Sequence, residues 1–457
     1  MRESITTYPL STSQQTLFLA RKFSVHKSVI NVATSIILHR TLDMEILGKA
    51  LQTAVDRWDA FGIRLVKEGK DARQYFTKRA YLSLSVLDYS GHTVGEMEEF
   101  FKKEAKRKLE IYDAPLARFY LVTTPKGDSG IFSVISHLIM DSWAINFFYK
   151  DVLDIYHSLE NALPLPKEMR SYESVLQKEL EYIGSERERR DIAFWQEEFK
   201  KPEPFYTHVN GLQTKGPFGK KKKTPEIRSG NTFFLRTKGS IDEHNMIGED
   251  VAEMQDFAKE NGFPSIQILF LMGFRLYLAK VNGKQKDVGF YDVVSRRGTV
   301  DEKLSGGTRV LFFPLRTIME EDMTFLQGLN MLFDTQNTLY KHADLNPMEI
   351  INLEKKCYPV TIKESYRSAS LTFQPLSLGL ENQVSYDAQW YSNGAASNPF
   401  YITIMEGDGS GNLKCYYEYM NQHIKKETVL ECHEFMRRAI LAGIRNPQIT
   451  LGEIFAL

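Results

Sequence analysis

One short segment has residue types and spacing suited to proton transfer: Ser136-His137-Leu138-Ile139-Met140-Asp141-Ser142-Trp143, directly after the apolar run Ile131-Phe132-Ser133-Val134-Ile135. That run reads as a buried strand that delivers His137 at its end, where a rigid scaffold can aim a side chain into a cleft. An imidazole with an ordinary pKa near 6.5 is mostly neutral at pH 7 and accepts a proton without prior activation. A base so placed contributes roughly 10²–10⁴-fold to a rate. Three apolar residues then pin the turn, and Asp141 arrives just before a helix. A purely structural account also exists. Asp141 can cap the helix at its positive end, and His137 can be a hydrogen-bonded core residue. The His-x-x-x-Asp spacing alone does not choose between the two.

No other segment competes. No glycine-rich phosphate loop follows a strand, no Cys or His pair has zinc spacing, and the ten histidines are scattered singly. Cys357, Cys415 and Cys432 are an odd set without ligand spacing and read as ordinary thiols of a reducing compartment. Basic and acidic residues balance at 58 each. That balance argues against a nucleic-acid partner, which would call for a basic surplus. The run Lys220 to Lys223 reads as a solvated loop. The polar start, Met1 to Thr7, lacks the apolar centre of a signal peptide. The most membrane-like stretch, 266–281, is interrupted by Gln267 and Arg275 and is too short to span a bilayer. The expectation is a cytoplasmic chain, monomeric, with no membrane partner.

The elements that must position His137 follow from periodicity. At 457 residues and 42% hydrophobic, the chain can close more than one core. Ser11 or Ser13 is a candidate cap for a first helix. A strand is expected over 32–39, a helix over 42–58, and a hairpin pairing 63–66 with 73–76. A helix over 94–109, strands over 116–123 and 130–136, and a helix over 143–159 come next. One long charged helix is expected over 171–199, as a marker between two packed units. A loop is expected over 201–228. Beyond it lie helices over 251–260, 265–281, 324–342 and 427–442, and strands over 288–295, 309–316, 401–405 and 413–419. Helices and strands mix without strict alternation, which favours two α/β sandwiches with mixed sheets over a doubly wound parallel sheet.

Several segments resemble, in order, the motifs of nonribosomal peptide synthetase condensation domains. Tyr8-Pro9-Leu10-Ser11-Thr12-Ser13-Gln14-Gln15 resembles their opening motif. Arg57-Trp58-Asp59-Ala60-Phe61 is similar to their Arg-His-Glu-x-Leu-Arg, and Ser136 to Ser142 to their His-His-x-x-x-Asp-Gly. Val288 to Arg297, Leu311-Phe312-Phe313-Pro314-Leu315-Arg316 and Tyr340 to Glu349 resemble later motifs, as do Leu371-Thr372-Phe373-Gln374-Pro375 and Tyr417-Glu418-Tyr419. Each match is short. Their shared order over the whole chain makes the signal specific.

The resemblance implies a divergent member of the His-x-x-x-Asp acyltransferases. Two chloramphenicol acetyltransferase-like lobes, 1–175 and 176–457, would form a V around a central tunnel. The family joins an acyl group to an amine or alcohol acceptor. The acyl group arrives as a thioester, on a carrier protein's phosphopantetheine or as a coenzyme A thioester. His137 would be the catalytic residue. Asp141 would support the site through a salt bridge to Arg296 or Arg297, and Ser136, Ser142, Trp143 and Gln374 would line the tunnel. Acyl or peptidyl carrier proteins would be its partners. The resemblance implies no metal and no bound cofactor. Four positions depart from the family pattern: Ser136, Ser142, Trp58 and Gly62. They leave room for two other readings, a catalytically silent domain that recruits carrier proteins and an epimerase-like relative.

Overall fold

The computed structural model describes residues 6–69, 71–78, 83–211, 213–215, 221–226, 230–231, 237–358, 364–374, 385–406 and 410–457. Lys70 within the expected hairpin, residues 407–409 between the expected strands 401–405 and 413–419, residues 212, 216–220 and 227–228 of the expected loop, and Pro375 lie outside them.

Two mixed sheets organise the molecule. The first has five strands in the order Tyr386–Tyr391, Asn31–Leu38, Ser129–Ser136, Ala117–Thr123, Leu84–Asp88. Two of its inner strands, Asn31–Leu38 and Ser129–Ser136, are buried at all eight positions, because helices cover both faces. On one face, Met44–Arg57 and Ser142–Glu160 build a core with Leu47, Leu51, Phe148 and Val152. On the other, Val94–Lys106 packs Phe101 flat on Phe132, with ring centres 4.3 Å apart.

The second sheet has six strands: Gly239–Met246, Leu413–Met420, Phe400–Glu406, Ala369–Gln374, Asp287–Ser295 and Val310–Ile318. Here side chains alternate between two faces. Leu413, Cys415, Tyr417, Phe400, Ile402, Leu371, Phe290 and Leu311 point into a large core against the helices Gln267–Val281, Phe325–Tyr340 and Lys426–Arg445. The residues between them face the other way, toward the first lobe. The membrane-like stretch is the central buried helix of this core. Its Arg275 is stripped of water, which lowers its pKa to about 9, and it donates to the Lys286 carbonyl at 2.5 Å. No described helix is long and apolar enough to cross a membrane.

The α/β class, the mixed sheets and the 63–76 hairpin (Ile63–Glu68 with Asp71–Phe76) are as expected. The strands Leu84–Asp88, Gly239–Met246 and Ala369–Gln374 and the helix Pro347–Cys357 are additional, and three further differences bear on the architecture. The helix expected over 171–199 is two, Tyr172–Leu180 and Glu186–Glu198. Gly184 breaks it at φ 78°, and Ser185 starts the second piece by accepting from the Glu188 N–H. The expected loop over 201–228 contains an antiparallel pair, Gln213–Lys215 with Lys221–Glu226. Most consequential is Tyr386–Tyr391, which crosses from the second half of the chain to pair antiparallel with the strand Asn31–Leu38. The segment 176–457 is thus not confined to one lobe, since six of its residues complete the first sheet.

Candidate active site

The strand Ser129–Ser136 ends against Asn31, and the chain turns sharply there. The His137 N–H donates to the Ile30 carbonyl at 2.7 Å, and the Ile139 N–H to the Ser136 carbonyl at 3.0 Å. Leu138, Ile139 and Met140 are fully buried, which fixes the turn by packing. A side chain from the opening motif braces it. Gln14 Nε2 donates to the Leu138 carbonyl at 3.0 Å and exchanges bonds with Gln74. The His137 ring is half-buried, with Nδ1 3.3 Å from Thr308 Oγ1. Burial lowers its pKa below 6.5, against the opposing pull of Asp141 and of the His137 and Met140 backbone. The ring is thus held neutral at pH 7. In the tautomer with its proton on Nδ1, the Nε2 lone pair is the one that can take a proton.

Asp141 does two jobs at once. Its Oδ1 caps the helix Ser142–Glu160 by accepting from the Ala144 N–H at 2.9 Å. Both oxygens also accept from Arg297 Nη2 at 3.0 Å, and Oδ2 from the Arg309 N–H at 3.0 Å. Asp141 and Arg297 have side chains 0% and 1% exposed. Arg297 in turn donates to the carbonyls of Glu302, Ser305, Gly306 and Gly307. The segment 305–309 of the second lobe is thereby stitched to the His-bearing turn, and the Asp141 N–H and Gly307 carbonyl add a bond of 3.2 Å. Gly307 is obligatory: at φ 82° a Cβ would sit 2.0 Å from the Tyr172 ring.

Arg296, the alternative partner, does not touch Asp141. It reaches Glu179 at 3.0 Å and Asp344 at 3.3 Å. Glu179 also binds Arg309 at 2.9 Å, and the two guanidiniums outweigh its burial and hold its carboxyl below the usual range. Adjacent arginines diverge because consecutive residues leaving a strand point to opposite sides.

A cavity of about 400 Å³ lies between the lobes. Its walls are mainly apolar. Leu17, Ala20 and Phe23 line it from the first helix, His137 and Ser142 from the site, and Phe312 from the second sheet. Gln374 lines it too, and its Oε1 has no hydrogen-bond partner among the described residues. Ser136 and Trp143 do not line it. Ser136 is fully buried, and its hydroxyl is used within the turn, accepting from the Leu138 N–H at 3.3 Å. Trp143 points outward from the first helical turn. Its indole N–H donates to the Lys303 carbonyl, and its ring stacks on Phe147 one turn along. Nothing in the residue types of Thr308 and Gln14 marks them for the site. Only contacts between distant parts of the chain reveal them.

Comparison with known proteins gives one family. The condensation domain model matches residues 4–457. The chain is 23% identical over 454 residues to one of the subunits of plipastatin synthase from Bacillus subtilis (strain 168), covering 98% of this chain and 17% of that protein. It is 23% identical to surfactin synthase subunit 1 of the same organism over 462 residues, covering 98% of this chain and 12% of that protein. Among solved structures, it resembles the first condensation domain of the calcium-dependent antibiotic synthetase, solved in complex with a substrate analogue, with TM-score 0.78 and 16% identity over 98% of each chain. It also resembles the starter condensation domain of rhizomide synthetase in complex with C8-CoA, with TM-score 0.80 and 16% identity over 98% of this chain and 97% of that one. The chain thus spans a small fraction of the curated synthetases and nearly the full length of these isolated condensation domains. It belongs to the condensation domain family.

Proposed function

We propose that this chain is a condensation-type acyltransferase. It joins an acyl group carried as a thioester to an amine or alcohol acceptor, in nonribosomal peptide or related secondary-metabolite synthesis. One observation carries the reading: a neutral, half-buried imidazole lines a cavity bounded by both lobes. The acceptor nitrogen or oxygen attacks the thioester carbonyl, the new C–N or C–O bond forms, and the C–S bond breaks. The nucleophile's proton passes to His137 Nε2 and then to the departing thiolate, so His137 ends each cycle unchanged. Holding both substrates in one enclosed channel supplies an entropic share of the rate.

The apolar walls around Leu17, Ala20 and Phe23 support a donor with a hydrocarbon acyl chain, delivered on carrier-protein phosphopantetheine or on coenzyme A. Ser136, buried outside the cavity, does not obstruct it, which favours the active reading over the silent one. Acyl-loaded carrier or acyl-coenzyme A, incubated with a panel of amines and alcohols and followed by product mass, tests the proposal. His137→Ala is expected to lower kcat by about 10²–10⁴-fold with donor binding retained. The wild-type rate should hold as pH falls to the ordinary imidazole range and drop only below it, because the His137 pKa is lowered. No product from any pair would overturn the proposal.

A further inference from the structure

Beside His137 and the tyrosines, the cavity wall carries two side chains that ionise, Arg367 and Glu418. Arg367 is neutralised by an ion pair to Glu354, and its guanidinium lies over the Tyr291 ring at 5.2 Å. Glu418 has no cationic partner among the described residues. The sheet register places it in one row on the cavity face: Ile241, Glu418, Tyr401, Ser370 and Tyr291 are successive cross-strand partners, and all five line the cavity. The groups facing the carboxyl are Ile241 on one flank, the Tyr401 phenol on the other and the Ser397 N–H, which donates to it. Burial raises the pKa of the Tyr401 phenol, and the nearby Glu418 charge pushes it further up.

We infer that Glu418 is a specificity residue that binds a cationic group on one of the substrates, a primary ammonium or guanidinium remote from the reacting atoms. The inference rests on the acyltransferase reading and names a substrate class for the same cavity. A carboxylate in an apolar wall is costly unless a charge meets it. Arg367 is already committed, so the partner must arrive with the substrate. The reacting nitrogen must give up its proton at His137, so the cation held by Glu418 is a second basic group. Burial pushes the Glu418 carboxyl up to about 7 against the Ser397 bond, so the empty site holds its charge only weakly at neutral pH. An arriving ammonium would stabilise the ionised form and draw the proton off.

The ammonium could belong to acceptor or donor, and two isosteric pairs separate these. Acceptor thioesters of ornithine and norleucine differ in a terminal ammonium against methyl, as do 6-aminohexanoyl and heptanoyl donor thioesters. In one arm, wild type at pH 8 is expected to favour the cationic member in kcat/KM by about tenfold or more. The preference should fade as pH drops through 7, vanish in Glu418→Gln, and persist in part in Glu418→Asp. No preference in either arm, or one unchanged in Glu418→Gln, overturns the inference. Calorimetric binding of the same four thioesters reads the same ratios without turnover. Absent turnover with an intact Glu418-dependent binding preference would remove the acyltransferase reading and leave the carboxyl's role standing.

Discussion

Asp141 is fully buried behind the His137 turn and Glu418 is half-buried in the cavity wall, and the two carboxyls are built for opposite ends. Asp141 is saturated: a guanidinium shared by both oxygens, two backbone N–H groups and a helix end all meet it. Glu418 is met by one backbone N–H. The first fixes where two lobes touch. The second is left wanting a partner. Satisfaction of hydrogen-bonding capacity separates a carboxylate that holds a scaffold from one that meets a ligand.

The largest way to break this contrast is to strand Asp141. Arg297→Met leaves a buried charge unmatched and should cost about 3–5 kcal/mol in denaturant unfolding, with turnover lost as segment 305–309 comes loose from the His137 turn. Adding Asp141→Asn to Arg297→Met should recover part of that stability, because the unpaired charge is gone. Equal stability of the single and double variants would deny that the pair acts as a unit.

Glu418→Gln sharpens the comparison in the opposite direction. The folded carboxyl titrates near 7 and the unfolded one near 4.5. Below pH 4.5 both states are protonated and the two proteins should melt alike. Between 4.5 and 7 only the unfolded chain loses its proton, so wild type should fall progressively behind Glu418→Gln. Above pH 7 the gap should level off at a magnitude on the order of 3 kcal/mol. A gap independent of pH would show that Glu418 is already compensated. The smallest effects belong to the two positions outside the cavity. Ser136→Ala should cost about 1 kcal/mol for the lost turn bond. Trp143→Phe should change melting and kcat little, and a large loss of kcat in either would place it back at the cavity.

His137 and Asp141 were legible because a strand end, an apolar turn and a helix start are all local patterns. The strands at 400–406 and 413–420 were legible for the same reason. What could not be read needed distant register. Nothing in Arg296-Arg297 says which side chain finds Asp141, because that depends on how segment 305–309 docks. Glu418 lies within a recognised motif, but its isolation appears only when Ile241 and Tyr401 are known to flank it. The Gly184 break is a local signal, and the charge pattern running through the surrounding residues masks it.

The strand Tyr386–Tyr391 has a consequence for how the chain comes into being. Until residue 391 has left the ribosome, Asn31–Leu38 is a bare sheet edge whose every residue is buried in the finished fold, and Phe101 and Phe132 lack the Tyr391 ring that closes their cluster. Exposed edges of this kind recruit other chains. A fragment cut at residue 175 should therefore aggregate during synthesis, and supplying 385–392 as a separate peptide should rescue its solubility.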